Sequence, residues 1–149
     1  MRIVIVAGGF DPLHRGHIDH IRKARALGNR LIAITHLDEI LIAKKGYCFM
    51  PLADRQAILE SIKWVDEVVI SIDSDGTVAK TLEMLRQNTE GELIFAKGGD
   101  RAPDSVPIPR NETETCERLG IQIVYGIGDK LDSSQDIVKR VIKQIGGSL

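Results

Sequence analysis

The chain has 149 residues, 43% of them hydrophobic, with 20 Lys and Arg against 21 Asp and Glu for a formal charge of −1. That length builds one core and is short for two, so a single domain over residues 1–149 is expected. The balanced charge argues against a basic nucleic-acid or membrane face, no apolar run approaches the ~20 residues of a membrane span, and no basic stretch followed by an apolar segment opens the chain, so the expected location is the cytoplasm.

The first element is the apolar run Ile3-Val4-Ile5-Val6-Ala7, a strand over residues 2–7. It ends in Gly8-Gly9 and runs through Phe10-Asp11-Pro12-Leu13-His14-Arg15-Gly16-His17 into a helix marked by Ile18, Ile21, Ala24 and Leu27. A strand that ends in two glycines before a helix is a phosphate-binding device. Glycine lets the backbone approach an anion, and the helix start presents unpaired N–H groups. His14 and His17 lie at that start and project from neighbouring positions of the first turn, so both imidazoles can donate to one polyphosphate. His20 continues the spacing, but each step of three advances roughly 300° around a helix. The three rings do not converge on one ion, so His20 is expected at the surface and no protein metal site is expected.

His14-Arg15-Gly16-His17 behind Gly9-Phe10-Asp11 resembles the H-x-G-H signature of the cytidylyltransferase-like nucleotidyltransferases. The resemblance implies His14 and His17 as catalytic donors and Gly8, Gly9, Phe10 and Asp11 as nucleotide-binding. It also implies a nucleoside triphosphate carrying Mg²⁺, a small phosphorylated acceptor and a homodimer.

Further apolar runs predict strands over residues 30–35, 65–70, 92–96 and 121–125, alternating with helical spacing at Ile58, Leu59 and Ile62, at Val78, Leu82 and Leu85, and at Cys116 and Leu119. Strands with little in/out alternation that alternate with helices imply a parallel sheet covered on both faces, here five strands in a Rossmann-like, doubly wound α/β domain. Its ligand edge lies beyond the carboxyl ends of the strands.

Residues 37–51 exceed the ~4–6 residue norm for a connection and read as a loop over that edge. Lys44-Lys45 in it is a solvated charge pair on composition alone. The resemblance instead implies a lysine reaching the triphosphate from this segment, with Lys44 favoured as the catalytic cation and Lys45 open as a nucleotide contact. Arg55, in Leu52-Ala53-Asp54-Arg55-Gln56 ahead of Val65-Asp66-Glu67-Val68-Val69, matches an Arg that heads a helix in the family. That match makes it an acceptor-binding residue; a surface pair with Asp54 is the alternative.

Lys97-Gly98-Gly99-Asp100-Arg101 after the fourth strand resembles the Lys-Gly-Gly-Asp of heptose-phosphate adenylyltransferases. Lys97, Gly98, Asp100 and Arg101 are accordingly expected at the acceptor, and the proline-rich residues 102–111 would shape its pocket. The last segment, with Ile137, Val138, Val141, Ile142 and Ile145, is a helix capped by Ser133 or Ser134. Before it, cytidylyltransferases carry Arg-Thr-x-Gly-x-Ser-Thr, whereas this chain has Gly128-Asp129-Lys130-Leu131-Asp132-Ser133-Ser134. The hydroxyl pair matches; the arginine and the motif glycine do not. Lys130, Ser133 and Ser134 are expected at the nucleotide, with Lys130 a point charge in place of a planar fork. Cys48 and Cys116 read as isolated thiols.

The implied reaction is transfer of a nucleoside monophosphate, CMP favoured and AMP open, to the phosphate or phosphonate of a small acceptor with release of pyrophosphate. A non-catalytic nucleotide-binding module on the same fold is the alternative.

Overall fold

The computed structural model describes residues 1–99 and 107–147. Five strands form one parallel sheet: β1 (Arg2–Ala7), β2 (Arg30–Thr35), β3 (Glu67–Ile70), β4 (Glu92–Ala96) and β5 (Gln122–Val124), in the order β3-β2-β1-β4-β5. The helices are α1 (Arg15–Arg25), α2 (Asp38–Lys45), α3 (Leu52–Ser61), α4 (Ala79–Asn88), α5 (Arg110–Leu119) and α6 (Ser134–Gln144). β1 sits at the centre, with Ile5 opposite Ile32 of β2 and Ile3 opposite Leu93 of β4. Both edge strands are shorter than the sequence runs suggested, as exposed sheet edges commonly are.

The unbroken apolar runs are explained by burial on two sides. Ile3, Ile5, Ile32, Ile34, Leu93 and Phe95 pack under Val78, Leu82 and Leu85 of the α4 segment and Cys116 of α5. The alternate residues Val4, Val6, Leu31 and Ala33 pack under Ile21 and Ala24 of α1 and Leu59 of α3. Successive strand side chains point to opposite faces, so a strand covered on both faces must be apolar throughout. Among the described residues, no helix is long and apolar enough to cross a membrane.

The expectation of a loop over residues 37–51 is corrected, because its first half is α2. Asp38 and Glu39 stand in the first turn, Lys44 and Lys45 in the last, and Gly46 closes the helix at φ +89° with its N–H on the Ile42 carbonyl at 2.8 Å. Acids at a helix start and cations at its end complement the dipole, and a left-handed glycine is the common stop.

Arg55 falls under neither expectation. It is fully buried and is not paired with Asp54. Nε donates to the Met50 carbonyl at 2.9 Å; one terminal nitrogen donates to Thr35 Oγ1 at 2.9 Å, the His36 carbonyl at 2.8 Å and the Gly9 carbonyl at 3.2 Å; the other donates to Asp38 Oδ1 at 2.6 Å. The guanidinium thus ties the ends of β1 and β2 to α2 and α3, which is a fork's task and not one a lysine can copy. Arg55→Leu leaves those carbonyls and Asp38 without their donor. It should lower unfolding stability by about 3 kcal/mol in urea denaturation. A change within ~0.5 kcal/mol would mark it as an ordinary surface position.

Candidate active site

The strand order reverses at β1, which is followed by β2 on one side and flanked by β4 on the other. In open α/β sheets ligands bind in the crevice outside such a switch point. A cavity of about 310 Å³ lies there, walled by the β1–α1 connection, by Lys97, Gly98 and Gly99 after β4, and by Asp129 to Ser134 ahead of α6. Gly8, Phe10, His14, His17, Lys97, Gly98, Lys130, Ser133 and Ser134 all line it. Gly9 stands one residue off the lining, where a side chain would crowd Leu41. Asp100 and Arg101, with residues 102–106 of the proline-rich stretch, lie outside the described residues.

The two motif histidines cap their own helix. Nδ1 of His14 accepts from the Gly16 N–H at 3.0 Å, and Nδ1 of His17 accepts from the His14 N–H at 3.2 Å. An imidazole nitrogen that accepts carries no proton, so each neutral ring bears its hydrogen on Nε2. The rings stack with centroids 3.8 Å apart, and Phe10 packs edge-on to His17 at 5.0 Å. Burial holds His14 below its ordinary value against the pull of Asp132; burial, then the charges of His14, His20 and Lys45, holds His17 down to about 3. Both are therefore neutral donors at neutral pH. Phe10 is buried at φ +52°, a left-handed backbone that a bulky residue adopts only when its surroundings fix it. A Cβ at Gly16 would meet the His14 ring at 2.8 Å, so only glycine lets that ring fold over the helix start.

Asp11 serves the scaffold beneath the site. It is buried, and its carboxylate accepts from the N–H groups of Phe49 at 2.7 Å and Met50 at 2.5 Å. Lys45 Nζ lies 3.2 Å from the same carboxylate and donates to the Asp11 carbonyl at 2.9 Å. The two lysines part company here. Lys45 joins the β1–α1 motif, whereas exposed Lys44 borders a separate hollow with Ser74, Asp75, Gly76 and Thr77.

On the opposite wall a Cβ at Gly99 would collide with the Gly128 carbonyl, and one at Gly128 would stand 3.0 Å from His20 Cα. These close approaches press the β4 and β5 loops onto α1. The expectation that His20 is a surface residue is corrected: it lines the cavity, its ring nitrogen Nδ1 2.6 Å from the Ile127 carbonyl. The drift of period-three positions around α1 had pointed His20 away from the other two rings, and nothing in the sequence announced Ile127 above it. Ser133 caps α6, its Oγ accepting from the Asp136 N–H at 3.0 Å, and Ser134 Oγ donates to the Pro12 carbonyl at 2.8 Å, which pins α6 to the first motif. Asp132, unmarked in the sequence, pairs with Arg140 at 3.0 Å and lies among the cavity-lining residues. The Arg140 hydrogen bond and then the Ser133 N–H hold its carboxyl down at about 2. Among the described residues no group of three or more His, Cys, Asp or Glu is poised to hold a metal ion.

The depressed histidines set a pH dependence. Unfolded His17 takes a proton near 6.5, whereas the folded ring resists until about 3. Its contribution to stability is thus present above pH 6.5 and lost as pH falls toward 3. Buried His36, held down to about 4 chiefly by burial, acts in the same direction. Urea midpoints should fall as pH drops from 7 to 4, and less steeply in His17→Gln; equal slopes would remove His17 from this linkage.

Three comparisons with known proteins now bear on this geometry. The family model "Cytidylyltransferase-like" matches residues 5–140. The chain is 44% identical over 144 residues to the FAD synthase of Pyrococcus abyssi, covering 93% of this chain and 90% of that protein. It is 39% identical over 144 residues to the ethanolamine-phosphate cytidylyltransferase of Arabidopsis thaliana, covering 93% of this chain but 32% of the plant protein, so it spans about a third of that relative's length. The crystal structure of a lipopolysaccharide core biosynthesis protein from Thermoplasma volcanium GSS1 shares the fold, with a TM-score of 0.66 at 23% identity over 86% of this chain and 98% of that one. Carried by a match that runs from the middle of β1 into α6, the chain belongs to the cytidylyltransferase-like family of nucleotidyltransferases.

Proposed function

We propose that this chain transfers a nucleoside monophosphate, CMP or AMP, from its triphosphate to the phosphate of a small acceptor. An acceptor oxygen attacks the α-phosphorus, the bond from that phosphorus to the bridging oxygen of the β-phosphate breaks, and pyrophosphate leaves with the electron pair. An ionised phosphate is already nucleophilic, so the protein's task is positioning and charge stabilisation. The observation that carries the reading is the pair of neutral imidazoles whose capping bonds at Nδ1 leave both Nε2–H groups as fixed donors at a helix start. Fixed donors aimed at growing charge need no reorganisation during reaction. Lys97, Lys130 and the capped start of α6 add positive potential on the facing wall. Magnesium belongs to the substrate in this reading: it is carried by the phosphate oxygens, because the described lining is richer in nitrogen donors than in free carboxylates. A homodimer is part of the same proposal and is tested by sedimentation. The curated relatives named above are both enzymes, which leaves the binding-only module without support.

A second, narrower reading is transfer of AMP to a flavin phosphate. It is favoured by the FAD synthase match, which extends over 90% of that protein, and by the missing arginine ahead of α6. A pyrophosphate-release screen of four triphosphates against phosphorylated alcohols, sugars and flavin mononucleotide decides between the readings. Release with CTP and a phosphoalcohol supports the first form, ATP with the flavin supports the second, and silence throughout removes both.

In whichever assay turns over, His17→Ala should reduce kcat about 100-fold while the triphosphate Kd changes little. Near-normal kcat would deny His17 a role in the transition state. Lys45→Ala should depress triphosphate use more than Lys44→Ala, since adjacent helical residues diverge by ~100° and only Lys45 reaches the first motif.

A further inference from the structure

The three histidines of α1 are not equivalent in their protons. His14 and His17 receive backbone N–H groups at Nδ1 and so carry hydrogen on Nε2. His20 faces a carbonyl at the same ring position, with Nδ1 2.6 Å from the Ile127 oxygen. A carbonyl only accepts, so here Nδ1 is the protonated nitrogen and Nε2 holds a lone pair. The ring borders the cavity, where the Lys97 charge also acts on it. Burial keeps the ring below its ordinary value, hence neutral, against the pull of the Ile127 bond. The cavity therefore offers two donors at the start of α1 and one acceptor further along.

The acceptor is also held still. Ile127 is fixed through both of its backbone polar groups, its N–H donating to the Lys97 carbonyl at 3.0 Å and its oxygen taking the His20 bond. Gly128, at φ +89°, packs directly on the His20 backbone. A lone pair repels phosphate oxygens, so what meets it must bring a proton. His20 lies three residues beyond His17, about 4.5 Å along the helix axis. With phosphates at the helix start, the next group of a nucleotide is its ribose.

We propose that His20 is a specificity residue of the nucleotide site, its Nε2 accepting a hydrogen bond from a ribose hydroxyl. The inference rests on the nucleotidyl-transfer reading above and deepens it, by giving the nucleoside end of the cavity a position. It makes the protein selective for ribonucleotides over deoxyribonucleotides through a neutral histidine.

The test compares the accepted ribonucleoside triphosphate with its 2′-deoxy and 3′-deoxy forms, in kcat/KM and in calorimetric Kd, for the wild type and for His20→Asn. Asparagine can keep a donor toward the Ile127 carbonyl while removing the Nε2 acceptor. Loss of one hydroxyl should cost the wild type about tenfold, and the variant about twofold or less. An unchanged ratio, with both substrates merely weaker, overturns the proposal and marks His20 as structural. Discrimination that shifts instead to analogues lacking the base's exocyclic amine overturns the ribose assignment. Nitrogen-15 spectra of the wild-type imidazoles, which need no variant, should show His20 in the opposite tautomer to His14 and His17; a shared tautomer refutes the proposal. A wild type that binds no nucleotide removes the functional reading along with this inference, whereas intact binding with equal ratios removes the inference alone.

Discussion

A helix start leaves N–H groups that need acceptors, and here two of them take imidazole nitrogen in place of the usual hydroxyl or carboxylate. That substitution couples local structure to chemistry. A serine cap would satisfy the backbone and present little else; a histidine cap satisfies it with one nitrogen and presents a donor with the other. Protonation would fill the accepting nitrogen and break the cap, so folding itself favours the neutral ring. Gly16, the edge of Phe10 and the stacking of the two rings all narrow the same arrangement.

Beneath the histidines lies a second constraint, polar and buried. Asp11 collects two backbone N–H groups from the segment after α2 together with the Lys45 ammonium, and Arg55, itself on α3, collects oxygens from the segment after β1, the end of β2, the start of α2 and Met50 ahead of α3. Each buried charge is matched by an opposite charge and by hydrogen bonds, which is what makes its burial tolerable. The α2–α3 region is thereby fastened to the first motif through charge, where the sheet and its covering helices are fastened through apolar contact.

The division between what the sequence disclosed and what it withheld follows those two kinds of force. Periodicity exposed all five strands and the covering helices, because two-sided burial writes itself as unbroken Val, Ile and Leu. The H-x-G-H spacing exposed the helix start because glycine and histidine are required there for separate reasons. Residues 37–51 misled because α2 buries little beyond Leu41 and has no strong apolar stripe; its evidence lay in the acids, lysines and Gly46 that bracket it. Arg55 and Asp11 were legible as important but not as buried, since their partners are backbone oxygens and N–H groups from distant segments. His20 was assigned to the surface because only tertiary structure sets Ile127 against it.

The central position of β1 has a consequence for how the protein comes into being. β1 reads its register from β2 through a span of fewer than thirty residues, but from β4 only after a closure of about ninety, with Ile3 meeting Leu93. The cavity wall opposite the histidines belongs wholly to segments that follow β4 and β5. Chain closure over such distances is slow, and its entropy is spent before the contacts that reward it exist. The cavity is thus completed only by contacts that close the longer span of chain. Residues through α1 supply both histidines and their capping groups, but the facing wall comes only with the segments after β4 and β5.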